Sequence, residues 1–211
     1  MPIAKQTIDR LAAYSDAIIA VVATLLVLGI AVPEDHRFTD EGLIAFLVKM
    51  RHDVGAYALS FLIITGYWMQ YHVIFLFMHH ANRAFTWLNF LFLFFVTLIP
   101  FAAKLLAVYR HEYHVVLIYG LLQVLCGLCL ASLWLFANWQ HRLMVASLDE
   151  GVIRGMTGRI LLGVAINLAA VGVSLLSVPA ALAMFVSVPL LNLSQRRVDQ
   201  QLREIAGDVR T

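Results

Sequence analysis

The stretch LAAYSDAIIAVVATLLVLGIAV, residues 11–32, decides the fold. It carries one charged side chain, Asp16, and exceeds the ~18 apolar residues that mark a membrane-spanning helix. The run is too long and begins too late for a signal-peptide core followed by a small-residue cleavage site, so this first helix is expected to stay in the protein. A second run, residues 160–195, contains no Asp, Glu, Lys or Arg. Composition agrees with both. Of 211 residues, 62% are hydrophobic and 13% charged, where soluble domains average about 45–50% and about 25%. The fold class this predicts is an all-α integral membrane protein in a lipid bilayer.

Six apolar segments can be cut from the chain: residues 11–31, 54–77, 86–107, 115–139, 160–178 and 180–193. The first four are near or above the ~20 residues needed to span. The last two are separated only by Pro179, and in a five-span reading Pro179 and Pro189 would instead kink one long helix. Charge decides between the two. With six spans, ten of the 15 Lys and Arg residues fall on the side of Lys5 and Arg10, and five fall on the side of Arg51 and Lys104. Five spans carry the four arginines of the tail across and leave a weaker asymmetry of opposite sense. The positive-inside rule therefore predicts six spans with both termini cytoplasmic. Residues 194–211 are polar and arginine-rich, a cytoplasmic extension of the last helix. Between the first two spans, residues 43–48 are expected to form a short interfacial helix. With no internal duplication, residues 1–211 read as a single six-helix transmembrane domain. A net charge of +2 argues against a nucleic-acid surface.

An ionisable residue inside a span is costly and marks a functional candidate. At about 100° per residue, Val21, Thr24, Leu25 and Leu28 share one third of the first helix's circumference, and Asp16 points about 130° from the centre of that stripe. Asp16 is therefore expected to be structural rather than to line what Val21 and Leu25 line. Ala13, Ala17 and Ala20 run beside the stripe and would let a neighbouring helix approach closely. Ile19 and Leu26 are expected to face lipid.

Cys126 and Cys129 form a C-x-x-C inside an apolar run, where metal ligation would need further ligands nearby; they read as two small residues buried in lipid. His79, His80, His111, His114 and His141 fall at span ends. His111-Glu112-Tyr113-His114 lacks the spacing that sets two zinc ligands on one helical face, and no Walker loop, nucleophile elbow or dinucleotide fingerprint occurs. No enzymatic activity and no cofactor are expected.

Arg10-x-x-x-Tyr14-Ser15-Asp16, then Thr24-Leu25-Leu26-Val27-Leu28, then Val32-Pro33, resembles the first-helix signature R-x-x-x-F-S-D, T-L-L-x-L, V-P of the lysosomal and prokaryotic potassium channels of the transmembrane protein 175 type. Residues 67–75, YWMQYHVIF, resemble that family's Y-W-x-x-H-H-x-x-F, and Trp87-Leu88-Asn89 with Pro100 resembles its third helix. Tyr14 stands for the usual phenylalanine and Tyr71 for the first histidine. The resemblance covers three spans, about half the chain, and implies a potassium-preferring cation channel with the first helix lining a central pore. A chain with one such repeat would be a prokaryotic member in the cell's inner membrane, assembled as a homotetramer, with potassium ion as permeant. It further implies that Val21, Leu25 and Leu28 form a hydrophobic constriction, that Thr24 is a pore-side hydroxyl, and that Arg10, Tyr14, Ser15, Asp16, Trp68 and His72 form a supporting network. The alternative is a membrane redox protein binding b-type haem between paired histidines. The first-helix motif, and the lack of a second deep histidine to face His72, oppose it.

Overall fold

The computed structural model describes residues 3–30, 40–109, 112–139, 143–144 and 150–191, and these are almost entirely helical. The elements are α1 (Ile3–Leu25), continued by a 3-10 turn (Leu26–Gly29), α2 (Asp40–Leu76), α3 (Arg83–Thr97), α4 (Ile99–Val108), α5 (Tyr113–Asn138), α6 (Glu150–Ser174) and α7 (Val178–Leu191). Among the described residues five stretches are long and apolar enough to cross a membrane, with α3 and α4 together making the third; α7 is a shorter apolar helix.

Side-chain contacts fix the helix directions. Ser15 meets Asn89 and Gly29 meets Lys104, so α1 runs parallel to α3 and α4. Ser60 meets Tyr119 and Tyr67 meets Gln123, so α2 runs parallel to α5. A Cβ on Gly127 would meet Val164 and one on Gly120 would meet Val171, while Trp134 bonds Thr157, so α5 and α6 are antiparallel. Gly163 lies against Val188, and α7 returns beside α6. The described helices thus run in alternating directions, with α3 and α4 counting as one and the shorter α7 as the last. Residues 3 and 191 lie at the same end of the bundle, as the six-span reading requires.

Glycine makes the α5–α6 approach close. A Cβ on Gly120 would lie 2.6 Å from Val171 Cγ2 and 2.7 Å from the Phe185 ring, and one on Gly127 would lie 2.9 Å from Val164 Cγ2. Small residues at helix contacts are the usual device where lipid gives little hydrophobic drive for helices to associate.

Several sequence expectations change. Residues 43–48 are not a separate interfacial helix; they belong to α2, which continues through Arg51, His52 and Asp53 into the span. The fifth helix begins ten residues before the predicted start, at Glu150, whose carboxylate bonds Arg154 at 2.9 Å. The third span breaks at Leu98. Pro100 has no N–H to give the Val96 carbonyl, and the Leu98 N–H turns to the Phe95 and Val96 carbonyls instead. Pro179 does separate the last two helices, as the six-span reading has it: it occupies the first turn of α7, where a missing N–H costs nothing, and kinks no long helix. Cys126 and Cys129 are free thiols buried in the protein core, not in lipid. Residues 194–211 lie outside the described residues.

Candidate functional site: the first helix and its fastenings

One face of α1 is packed and the other is bare. Ile8, Leu11, Ser15, Ile19, Val22 and Leu26 are buried, recurring every three or four residues. Ile19 and Leu26, expected to face lipid, are each only 4% exposed, because the packed face is wider than the stripe argument allowed. On the opposite face Val21, Leu25 and Leu28 are 55%, 45% and 75% exposed. Ala13, Ala17, Ala20 and Thr24 share that exposed surface. The 3-10 turn sharpens the alignment: at three residues per turn, side chains three apart eclipse, which sets Leu28 directly beyond Leu25. Thr24 donates its hydroxyl proton to the Val21 carbonyl at 2.8 Å. The Thr24 oxygen therefore presents lone pairs, not a proton, to whatever lies along this face.

Asp16 sits off the stripe, as its angle predicts. Its carboxylate accepts a hydrogen bond from Trp68 Nε1 at 2.9 Å. His72 stacks on the Trp68 ring at 5.2 Å between centroids, supporting the indole rather than bonding the carboxylate. Ser15 is fully buried, donates to the Leu11 carbonyl at 2.9 Å, and accepts from Asn89 Nδ2 at 2.9 Å. Tyr71 is buried at the same level. Tyr14 is half exposed and meets Phe90 edge-on at 5.9 Å. Arg10 is exposed and makes no ion pair with Asp16 among the described residues. Trp68, Asp16, Ser15 and His72 are thus brought together by α1, α2 and α3, whereas Arg10 stays apart.

A second fastening was not foreseen. Lys104 of α4 donates its ammonium to the Gly29 carbonyl at the end of the 3-10 turn. A cation there meets the negative end of the helix dipole and an otherwise unpaired carbonyl. The break before Pro100 lets α4 present this residue. Among the described residues no three His, Cys, Asp or Glu side chains group as metal ligands.

The family described as the endosomal/lysosomal potassium channel TMEM175 matches residues 10–100, which include Ser15, Asp16, Gly29, Trp68, His72 and Asn89 and end before Lys104. The chain is 32% identical over 178 residues to a potassium channel of Streptomyces collinus, covering 82% of this chain and 85% of that protein. This chain belongs to the TMEM175 family. It is also 31% identical over 172 residues to a potassium channel of Chamaesiphon minutus, covering 80% and 85% of the two chains. Its fold superposes with a TM-score of 0.77 on the crystal structure of a lysosomal potassium-selective channel TMEM175 homolog from Chamaesiphon minutus, at 26% identity, over 89% of this chain and 96% of that one. The helical bundle described above is therefore shared with that homolog.

Proposed function

We propose that this TMEM175-family protein conducts potassium in preference to sodium, as a homotetramer whose four copies of α1 surround the pore. The observation that carries the reading is the bare face of α1: Val21, Thr24, Leu25 and Leu28 are exposed along one line while the other face is packed and fastened by Ser15 and Asp16. The relatives' names supply the ion. One helix cannot enclose a pore, and four copies around an axis can.

In such a pore Val21, Leu25 and Leu28 form rings of branched aliphatic side chains. These offer no oxygen to replace an ion's hydration shell, so conduction needs the rings to open wide enough for a hydrated or partly hydrated ion; when tight, they gate by dewetting. Potassium, with the smaller dehydration cost, passes more readily than sodium. Thr24 contributes an acceptor oxygen between the Val21 and Leu25 rings. Asp16, Ser15, Trp68 and His72 hold the helix, and take no part in coordinating the ion. With both described ends on one side and the basic excess there, the termini are assigned to the cytoplasm and the protein to the inner membrane.

Flux of potassium and sodium into proteoliposomes tests the reading. Leu25→Asn sets four amides where four isobutyl groups stood; it should raise conduction and erode the preference for potassium. Leu25→Ala should act in the same direction through width alone. Leu121 and Leu168 are similarly exposed on α5 and α6 and should tolerate alanine with flux unchanged. If both Leu25 variants assemble normally and leave flux and ion preference unaltered, α1 does not line the pore.

A further inference from the structure

A second polar site lies away from α1, in the part of the bundle built by α2, α5, α6 and α7. Tyr67 and Gln70 of α2, Gln123 of α5 and Asn167 of α6 converge there, and each is more than nine-tenths buried. The Tyr67 hydroxyl donates to the Gln123 backbone carbonyl at 2.8 Å, and the Asn167 amide stands beside Tyr67. Three side-chain atoms make no hydrogen bond within 3.5 Å in the protein: Gln70 Oε1, Gln123 Oε1 and Gln123 Nε2, the Gln123 amide standing beside Tyr119. They border a small cavity walled by Ile63, Gly66, Val188 and Pro189, with about 10 Å3 open to the centre of a water-sized sphere.

A buried amide left unpaired loses its hydration with nothing in return, and at membrane depth no bulk water relieves it. Three such atoms around one hole call for an occupant. Its size is fixed by the cavity, which holds about one water molecule. Its chemistry is fixed by the orphans, two acceptors and one donor. A monovalent cation would suit the carbonyl oxygens but would meet the Gln123 N–H groups with like charge, and an apolar guest would leave all three unpaired.

We propose that this cavity is the site of a resident water molecule that joins α2 to α5, donating to Gln70 Oε1 and binding one end of the Gln123 amide, with Asn167 of α6 within the same polar cluster. The site is independent of the pore and of the ion that passes there. Its role is to pair Gln70 Oε1 and one end of the Gln123 amide inside a membrane-embedded core.

A structure of the full-length protein in lipid nanodiscs, at a resolution that shows ordered solvent, tests this directly. One isolated peak about 2.7–3.2 Å from Gln70 and Gln123 is the expected result. In Gln70→Leu, which removes one anchor and fills the space, the peak should vanish while the peaks at the protein surface persist. An empty cavity with the Gln70 and Gln123 amides turned to bond each other overturns the proposal. So does a peak ringed by five or more oxygens at about 2.4 Å in sodium buffer, which is a cation's signature. If Gln70→Leu fails to fold, the wild-type density alone decides between these outcomes.

Discussion

The Asp16–Trp68 hydrogen bond is open to a double-mutant cycle. Trp68→Phe removes the indole N–H yet keeps an aromatic ring to stack on His72, and Asp16→Leu removes the carboxylate and every hydrogen-bonding atom of that side chain. A hydrogen bond to a charged group contributes about 1.5–3 kcal/mol. Trp68 is 38% exposed, and the pair borders a cleft of about 340 Å3 between α1 and α2, so the lower end of that range applies. The coupling energy should be about 1.5 kcal/mol: the double variant should be that much more stable than the sum of the single losses implies. For a chain of this size 1 kcal/mol corresponds to about 2–4 °C in melting temperature, so Trp68→Phe alone should melt about 3–6 °C lower. Asp16→Asn keeps an acceptor and should lose less than Asp16→Leu. Helicity against added sodium dodecyl sulfate in mixed micelles measures all four proteins. Additivity within about 0.5 kcal/mol would show that the 2.9 Å contact contributes nothing and that Asp16 is held by other means.

Gly120→Ala places a methyl 2.6 Å from Val171 and 2.7 Å from Phe185 in a packed contact, and should cost about 1–3 kcal/mol in the same titration, while Gly155→Ala, open to space, should cost nothing or stabilise. Lys104→Met separates two arguments by sign: hydropathy alone predicts a gain when a cation leaves the span, whereas the bond to Gly29 predicts a loss of about 1.5–3 kcal/mol, read as a lower melting temperature. Lys5→Cys and Ile205→Cys, on a background without Cys126 and Cys129, should both resist an impermeant reagent added outside cells; labelling of position 205 alone would put the termini on opposite sides.

What hydropathy reads is the bilayer rather than the helix. Residues 160–178 and 54–77 are apolar enough to be seen, but α6 starts at Glu150 and α2 at Asp40, because a helix does not stop where the membrane does. Charged residues such as Arg51, Asp53 and Arg154 end an apolar run without ending a hydrogen-bonded ladder. Pro100 entered the sequence reading only through the resemblance, and the split into α3 and α4 follows only when the Val96 carbonyl is followed to its new partner, the Leu98 N–H. The angular position of Asp16 could be derived from one helix alone, and so could the alignment of Val21, Leu25 and Leu28, but not which face is bare. Pairings between helices could not. Trp68 was reached through a resemblance, and Ser15 took Asn89 as partner because the register of α1 against α3 is set in three dimensions. Once Ser15 is matched to Asn89, two parallel helices place Lys104 near Gly29 fourteen or fifteen residues further along. That is the signal by which Lys104 could have been found, and it needs one contact as a starting point.

The placing of these polar residues has a physical reason. Within a bilayer the tails are as apolar as leucine, so burial of Ile19, Val22 and Leu26 against α2 and α4 gives α1 little preference for one height or rotation over another. Directional bonds supply that preference. Asp16 and Ser15 fasten α1 toward one end and Gly29 fastens it at the other, about 20 Å apart at 1.5 Å per residue. Between the two, no side chain on the exposed face is bonded to another helix; Thr24 bonds only within its own turn. One residue of slippage in helix phase, about 100°, would turn Leu25 from the exposed face into the packed one. The intramembrane carboxylate and the Lys104 ammonium, each costly alone, are therefore what make an apolar stripe point in one direction.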